Sequence, residues 1–258
     1  MIDWNRVPGE VTVVVSDLHA NKRAVKTAFD AVHDKRADRV IILGDILTYG
    51  IDVNEVTDIV DEALSKGAEL IVGNHDQMYR DLIAGYCPIF SKLRDDLQES
   101  ITYNLDRLDT KRFMSWNWKD YIVRDDVYFS HANPYGNAWE YIKDVYDFQN
   151  VAQTIRRKGH LAGVFGHTHR EKCFSLKTGD LTNIDGLTDD TFVINPGSVG
   201  QPRGGPMQAS ILRLSSHKNK LWAEVESIPY DVRGHLNDLR SSSLSDATKT
   251  VLLSFFKE

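Results

Sequence analysis

The first part of the chain alternates β-branched apolar runs with amphipathic segments. VTVVVSD, RVIILGD and ELIVGNHD, at residues 11–17, 39–45 and 69–76, are near-continuous apolar stretches that end in polar residues, which is typical of strands buried on both faces. Between them, residues 21–35 and 54–67 carry apolar side chains at helical spacing. Strand, helix, strand, helix, strand predicts a parallel sheet with right-handed crossovers.

The rest of the chain predicts a second sheet. Five closely spaced apolar runs indicate that part of this sheet is antiparallel, and they lie at residues 126–131, 161–167, 191–197, 208–214 and 221–228. An amphipathic helix is expected around 140–157, between the first two runs.

Two further regions are expected to be helical. Residues 77–120 are aromatic and charged, which predicts a helical excursion over one edge of the fold that could form a lid. The tail at 231–258 predicts two helices, the second capped near Ser245, and Asn54 is expected to cap the helix that follows the second strand.

Composition limits the class of protein. A chain of 258 residues with 41% apolar residues can bury one large core, so we expect a single domain over 1–258. A net charge of -6 argues against binding long nucleic acid through a general basic field. The two cysteines, Cys87 and Cys173, are too few for a disulfide framework, and no run suits a membrane span or a signal peptide. We therefore expect a soluble cytoplasmic protein.

Polar side chains follow five of the predicted strands, at the point where each strand ends. Because ligands of open α/β sheets bind at the carboxyl ends of the strands, these side chains should converge on one place. Each one alone could be a turn former, a helix cap or an ordinary loop residue. The set comprises Asp17, His19, Asp45, Asn74, His75, His131, His167 and His169.

The residue types in this set indicate metal chemistry. Two carboxylates, a carboxamide and several imidazoles, without a thiolate, suit divalent manganese, iron or zinc. Since there are too many donors for one ion, we expect two, roughly 3.5 to 4 Å apart and sharing a carboxylate. Such a pair clamps a phosphoryl group and lowers the pKa of a water between the ions to near neutrality, supplying hydroxide at pH 7. The expected reaction is hydrolysis of a phosphate ester.

Five motifs in order carry a family resemblance. SDLHAN, LGDILTYG, VGNHD, SHANP and GHTH resemble the motifs of the calcineurin-like metallophosphoesterase superfamily, over about residues 11–206. The resemblance implies an α/β fold in four layers, α-β-β-α, with two mixed β-sheets flanked by helices. GDILTYGIDVNEV and VINPGSVGQPRGGPMQASI resemble the small prokaryotic phosphodiesterase branch that includes dinucleoside polyphosphate hydrolases.

The resemblance also implies a role for each motif residue. Asp45 would bridge the two ions. His75 would be the general acid, protonating the leaving oxygen or stabilising the transition state, and Asp76 would orient its ring. The first ion would be bound by Asp17, His19 and His169, and the second by Asn74, His131 and His167.

Three residues near the motifs are candidate substrate contacts. Asn21 and Tyr49 lie on the first two loops, although Asn21 is an equally good cap for the following helix. Arg203, in the stiff loop NPGSVGQPRGGP, could pair with phosphate, and a solvated or inter-subunit arginine is an equal alternative. Aromatic residues in the excursion could stack a nucleobase but more often belong to a core: they are Phe113, Trp116, Trp118 and Tyr121.

Other functions are weighed against the phosphoesterase. One is a binding or scaffold protein that kept the fold and lost catalysis, as the metallophosphoesterase-like subunit of an endosomal coat has, but every ligand position is filled here. A nuclease would need a basic track that the acidic chain lacks, and short oligonucleotides or phosphoproteins stay open as substrates. The expected partner is a small phosphorylated, nucleotide-like molecule, with a homodimer as a further possibility.

Overall fold

Helices flank a stack of two mixed β-sheets in the computed structural model, which describes residues 2–34, 37–136 and 138–256. The strands are β1 Thr12–Val15, β2 Arg39–Ile42, β3 Glu69–Ile71, β4 Trp118–Lys119, β5 Tyr121–Arg124, β6 Val127–Ser130, β7 Ala162–Phe165, β8 Glu171–Ser175, β9 Gly179–Leu181, β10 Ile184–Leu187, β11 Phe192–Pro196, β12 Ala209–His217 and β13 Lys220–Ile228. The helices are α1 Lys22–Asp34, α2 Val53–Ser65, α3 Asn74–Ile83, α4 Asp95–Leu105, α5 Thr110–Ser115, α6 Val145–Arg157, α7 Val232–Ser241 and α8 Asp246–Ser254, with a 3₁₀ turn at Phe90–Lys92.

The parallel core predicted for the first sheet is confirmed. Its strand order is β10-β13-β12-β1-β2-β3-β4, in which β1 to β4 run parallel and β12, β13 and β10 are antiparallel additions. The runs at 208–214 and 221–228 were expected in the second sheet, but they form β12 and β13 of the first, because β12 pairs with the free edge of β1. The second sheet has the order β5-β6-β7-β11-β8-β9, with a parallel centre of β6, β7 and β11 and antiparallel edges. Both sheets therefore present the carboxyl ends of parallel strands.

Three apolar layers hold the stack together. The layer between the sheets consists of side chains such as Val14 and Ile41 from the first sheet and Phe129 and Ile194 from the second. Helices α1 and α2 cover the outer face of the first sheet, and α6 covers that of the second. This arrangement is the predicted four-layer sandwich, and its layers fix the strand ends from which the site is built.

The helix caps differ in part from the prediction. Ser245 caps α8 as expected, with its hydroxyl accepting the Thr248 N–H. Asn54 is not a cap, since α2 begins at Val53 and the cap position belongs to Asp52. The Asp52 carboxylate accepts the Lys22 N–H at the start of α1, so one acid joins the starts of both helices.

The segment between β3 and β5 contains three α-helices and ends in a strand that was not predicted, β4, which pairs with β3. Phe113 and Trp116 are buried in the core below it, with Trp118 packed against them, so these aromatic side chains form a core and not a nucleobase platform. Tyr121 instead stacks on Tyr128 at the edge of the second sheet. Within the described ranges, every helix is too short or too polar to cross a bilayer.

Candidate metal centre

The seven predicted metal ligands converge at the carboxyl ends of the parallel strands. Each follows a strand of one sheet or the other, directly or at the start of the next helix. None of these side chains is more than 4% exposed, although all are polar: Asp17, His19, Asp45, Asn74, His131, His167 and His169. Burying so many polar groups together is unfavourable unless they are paired with each other or with a cation.

The ligands form two clusters that share Asp45. Ligand atoms of Asp17, His19, Asp45 and His169 lie within 4.8 Å of one another, and so do those of Asp45, His131 and His167. Asn74 joins the second cluster, because its Oδ1 is 3.0 Å from His131 Nε2. Asp45 is therefore the residue that both clusters have in common, and the other residues divide between the clusters as the expected ligand sets do.

Backbone carbonyls fix three of the imidazole rings. Nδ1 of His19 lies 3.0 Å from Leu47 O, that of His131 2.8 Å from Leu43 O, and that of His169 2.8 Å from Gln201 O. Because a carbonyl can only accept, each Nδ1 carries the proton, and in the neutral ring Nε2 keeps its lone pair. This is the tautomer that binds a metal through Nε2, with the second-shell carbonyl setting the orientation of the ring.

Two facing lone pairs give a test of whether a cation fits. Nε2 of His19 and Nε2 of His169 are 3.0 Å apart, and this is the nitrogen that the hydrogen bond of each Nδ1 leaves free to bind a metal. Buried Asp17 Oδ1 and His167 Nε2 have no hydrogen-bond partner among the described residues. Converging lone pairs repel unless a proton or a cation lies among them, so the donor set fits bound divalent ions.

The charges of the cluster also suit cations. Burial opposes ionisation of Asp45, but His131 and His75 beside it hold the pKa of that carboxyl well below its usual range. Burial likewise opposes the charge of Asp17, and His169 and His131 outweigh it to give a lowered pKa. Burial and the neighbouring His131 lower the pKa of His167 to about 3. Both carboxylates are thus ionised and this imidazole is neutral, as metal ligands must be.

One ring of the cluster is cationic in the absence of metal. Burial lowers the pKa of His131, but the charges and hydrogen bond of Asp45 dominate and raise it to about 9. The Nε2 atom lies 3.4 Å from Asp45 Oδ2. A proton on His131 therefore partly neutralises the two carboxylates where a cation would otherwise do so.

The backbone at the ligands is strained. Five of the seven ligand residues have φ between 46° and 66°, in the left-handed region: Asp17, His19, Asp45, His167 and His169. A side chain in this conformation costs on the order of 1–3 kcal/mol and persists only where the surrounding structure imposes it. At these positions the left-handed backbone turns the chain sharply, so that the ligand side chains point toward the same place.

His75 lies at the margin of the metal cluster. Its Nε2 is 4.0 Å from Asp45 Oδ2, and its ring makes edge contacts with those of His19 and Tyr49. His75 belongs to neither ligand cluster. This places an imidazole beside the ligands without making it one of them, in agreement with the position expected for a general acid.

Asp76 does not orient the His75 ring, contrary to the expected role. His75 Nδ1 has no hydrogen-bond partner in the part of the chain that the structure describes. The Asp76 carboxylate instead accepts backbone N–H groups from Asp45 at 2.7 Å, Ile46 at 2.9 Å and Gly73 at 2.9 Å. Since Asp76 is the third residue of α3, its side chain turns back toward the helix start and ties the loop after β2 to that helix.

Close backbone packing fixes the shared carboxylate. A Cβ atom on Gly73 would lie 2.1 Å from Asp45 Oδ1, so only glycine allows this approach. Asp45 Oδ1 accepts the His75 N–H at 2.9 Å, just beyond that glycine. The position of the bridging carboxylate is therefore determined by the loop before α3.

The three candidate substrate contacts have different environments. Asn21 is fully buried: Oδ1 accepts the Ala24 N–H and caps α1, and Nδ2 donates to Gly200 O, which leaves no exposed atom for a substrate. Tyr49 lies against His19 and His75, and burial raises its pKa to about 12. The Arg203 guanidinium is 5.9 Å from the centroid of the Tyr49 ring.

Sequence reasoning missed two aromatic residues at the site. Tyr141 stacks on His167 with ring centroids 4.0 Å apart, and Trp139 approaches His75 at 6.5 Å. Both lie between β6 and α6, where no motif marks them. The only signal was their position after the His131 motif, at the edge where the strands end.

Comparison with known proteins agrees with this geometry. The calcineurin-like phosphoesterase superfamily domain matches residues 11–219, and the chain belongs to this superfamily. Its motif residues and its buried Asp and His clusters are those of a metal-dependent phosphoesterase family.

Similar proteins are known from archaea and bacteria. The uncharacterized protein MJ0912 of Methanocaldococcus jannaschii is 29% identical over 230 residues, covering 85% of this chain and 88% of the relative. A metallophosphoesterase from Sphaerobacter thermophilus superposes with a TM-score of 0.73 at 20% identity, covering 95% of this chain and 99% of the other. The hypothetical protein PH1004 of Pyrococcus horikoshii gives 0.75 at 16% identity, covering 95% and 98%. Those two structures share the fold.

Proposed function

We propose that this protein is a two-metal phosphoesterase that hydrolyses a small, nucleotide-like phosphate ester. The observation that carries the proposal is the pair of buried clusters joined at Asp45. In them, His19 Nε2 faces His169 Nε2 at 3.0 Å, and Asp17 Oδ1 and His167 Nε2 have no hydrogen-bond partner among the described residues. Asp17, His19 and His169 would hold one ion, and Asn74, His131 and His167 the other. Manganese, iron and zinc suit this set of nitrogen and oxygen donors.

The protein contributes orientation and proton transfer to the reaction. When bound, the two ions supply Lewis-acid polarisation of the phosphoryl group and a water of lowered pKa. Backbone carbonyls hold the ligand rings in one tautomer, so the charge-stabilising groups are in place before the substrate arrives. His75, beside the shared carboxylate, is positioned to give a proton to the leaving oxygen.

The aromatic surroundings support a substrate with a planar group. Tyr49, Tyr141 and Trp139 lie against the imidazoles of the site, and the last two are 39% and 42% exposed. An aromatic leaving group such as a nucleoside can stack on rings of this kind, which contributes to binding without engaging the metal ligands. We therefore favour a nucleotide over an aliphatic phosphate.

The test is turnover by metal-stripped protein to which manganese, zinc, magnesium or nothing is added. The substrates are a chromogenic phosphomonoester, a chromogenic phosphodiester and a diadenosine polyphosphate, and Asp45→Asn is the control. We expect metal-dependent turnover that the variant lacks, with the preferred substrate identifying the ester class. Absence of turnover with every metal, despite two bound ions per chain, would favour a binding protein that keeps the fold.

A further inference from the structure

A groove of about 610 Å³ adjoins the metal centre. Ligand residue His169 lines it at one end, together with Tyr141, whose ring stacks on ligand His167. From there the groove runs between the segment before α6 and the glycine-rich loop after β11, and Lys143, Arg170 and Arg203 line it. A molecule that places one group at the metals can therefore extend into this groove.

The groove is basic although the chain as a whole is acidic, with a net charge of -6. Among the described residues, Glu171 is the one acid that lines it, and its carboxylate accepts hydrogen bonds from the hydroxyl groups of Ser210 and Ser227. Lys172 also lines the groove but is paired with Asp180. Lys143, Arg170 and Arg203 have no salt bridge to any described carboxylate.

Several arginines elsewhere on the molecule are paired with carboxylates, unlike the three cations of the groove. Arg23 pairs with Asp231 and Asp238, and Arg39, Arg112 and Arg124 each pair with at least one carboxylate. Cations gathered in a groove without anionic partners attract an anion from solution. The groove therefore has the charge of an anion-binding site.

The protein holds Arg203 in place by hydrogen bonds and leaves room beside it for Arg170. Arg203 donates from Nε to Gln201 Oε1 at 3.2 Å, and its backbone N–H donates to His169 O at 3.1 Å. Arg170 follows His169 directly, and a Cβ atom on Gly204 would lie 2.2 Å from Arg170 Nη1. Gly204 has φ +75°, so glycine both permits the turn and leaves room for the guanidinium.

We propose that this groove binds a second phosphate group of the substrate while the first lies at the metal centre. Guanidinium groups bind phosphate oxygens through paired N–H donors, and the Lys143 ammonium adds a further charge. The proposal rests on the phosphoesterase function and narrows it. The preferred substrate carries two or more phosphates, as in an oligophosphate chain, and simple monoesters are poor substrates.

The first test measures binding of inorganic tripolyphosphate to the metal-stripped protein by calorimetry. Wild type is compared with Lys143→Ala/Arg170→Ala, which removes two exposed cations from the groove. The control, Lys111→Ala/Arg233→Ala, removes the same charge from two exposed positions outside the groove. We expect the groove variant to bind at least about tenfold more weakly and the control to bind within about twofold of wild type. Equal weakening in both variants would overturn the proposal.

The second test separates this proposal from the phosphoesterase function. With metal-loaded protein, kcat/KM is measured for a chromogenic phosphomonoester and for diadenosine tetraphosphate. The groove variant should lose at least about tenfold more kcat/KM on the tetraphosphate than on the monoester, mainly through KM. An equal loss on both substrates overturns the groove assignment. Tripolyphosphate binding in the groove without turnover of either ester supports the groove and counts against the phosphoesterase function.

Discussion

Each half of the metal centre contains two imidazoles, but the protein holds these rings differently in the two halves. In the half with His19 and His169, both rings donate from Nδ1 to backbone carbonyls of neighbouring loops. In the other half, His131 is held in this way, whereas His167 Nε2 has no hydrogen-bond partner within the described ranges and its ring stacks on Tyr141. One half is thus fixed by backbone and the other partly by a side chain that is 39% exposed.

This difference shows how a binuclear site can be both rigid and responsive. A carbonyl in a packed loop cannot move far, so the first ion has a preformed set of ligands. An exposed tyrosine can shift when a substrate enters, and the ring that stacks on it shifts with it. We therefore expect the ion in the His19 and His169 half to bind more tightly. The affinity of the ion in the other half should depend on the position of Tyr141.

The largest effect should follow from Asp45→Asn, which changes the one ligand common to both halves. A neutral amide removes the charge that both ions share, so we expect loss of both ions and a decrease in turnover of at least about 10³-fold. Metal content per chain and kcat are the measurements, with exposed Asp185→Asn as the matched control. Retention of both ions would show that the halves are independent.

His75→Asn should leave both halves intact and still remove most of the activity. His75 contacts the shared carboxylate without belonging to either ligand cluster, so metal content should stay at the wild-type value while kcat falls about 10²- to 10⁴-fold. The exposed residue His217 provides the control, His217→Asn. Loss of an ion from His75→Asn would instead show that His75 is a metal ligand, and it would have to be added to one of the two halves.

Tyr141→Leu should affect the two halves unequally. Removal of the ring that supports His167 should lower the affinity of one ion about tenfold and leave the other unchanged, which is the usual size of an effect on ligand support. A metal titration that resolves two binding steps measures this, with Tyr135→Leu, also exposed, as the control. If both steps weaken equally, the proposed asymmetry is wrong.

The last effect is on stability and not on metal binding or turnover, and it concerns a buried histidine outside both halves. His235 on α7 packs against Phe256, and burial lowers its pKa to about 4, with Asp238 opposing and Arg23 adding to the shift. Because the unfolded chain takes up the proton near pH 6.5, the neutral ring's contribution is complete above that pH and is lost as pH falls toward 4. The free energy of unfolding should therefore decrease by about 3 kcal/mol over this pH range.

The measurement for His235 is the free energy of unfolding against pH for wild type and His235→Leu. The variant should lose less stability than wild type between pH 6.5 and 4, and the difference should be the same with and without added metal. If the difference in pH-dependent stability between wild type and variant vanishes on metal addition, protonation of His235 is coupled to metal binding.

Much of the fold could be predicted because buried strands have a strong apolar signal. β1, β2 and β6 lie in near-continuous apolar runs, so their polar ends, and with them the ligands, could be located from the sequence. The strands that escaped prediction are short or polar, such as β4 with two residues and β9 with the sequence GDL. Such strands form because a neighbouring edge offers hydrogen bonds, which local sequence does not reveal.

The parts of the site that sequence could not supply depend on backbone geometry. Asp76 follows the histidine motif, but its carboxylate binds N–H groups of residues 45, 46 and 73, whose meeting point exists only in the folded loops. Asn21 has the spacing of both a cap and a substrate contact, and the fold uses it as a cap. Tyr141 lies outside every motif and reaches the site through the path of a connecting segment.

The absence of a side chain at Gly73 has a wider consequence. One methyl group there would collide with the carboxylate that joins the two halves, so the centre tolerates no gradual change at this point. The loops that carry Lys143 and Arg170 are subject to no such restriction, since these side chains are exposed. A chain of this kind can therefore change its substrate by substitutions at the exposed groove residues, whereas the closely packed residues around Asp45 can change only together.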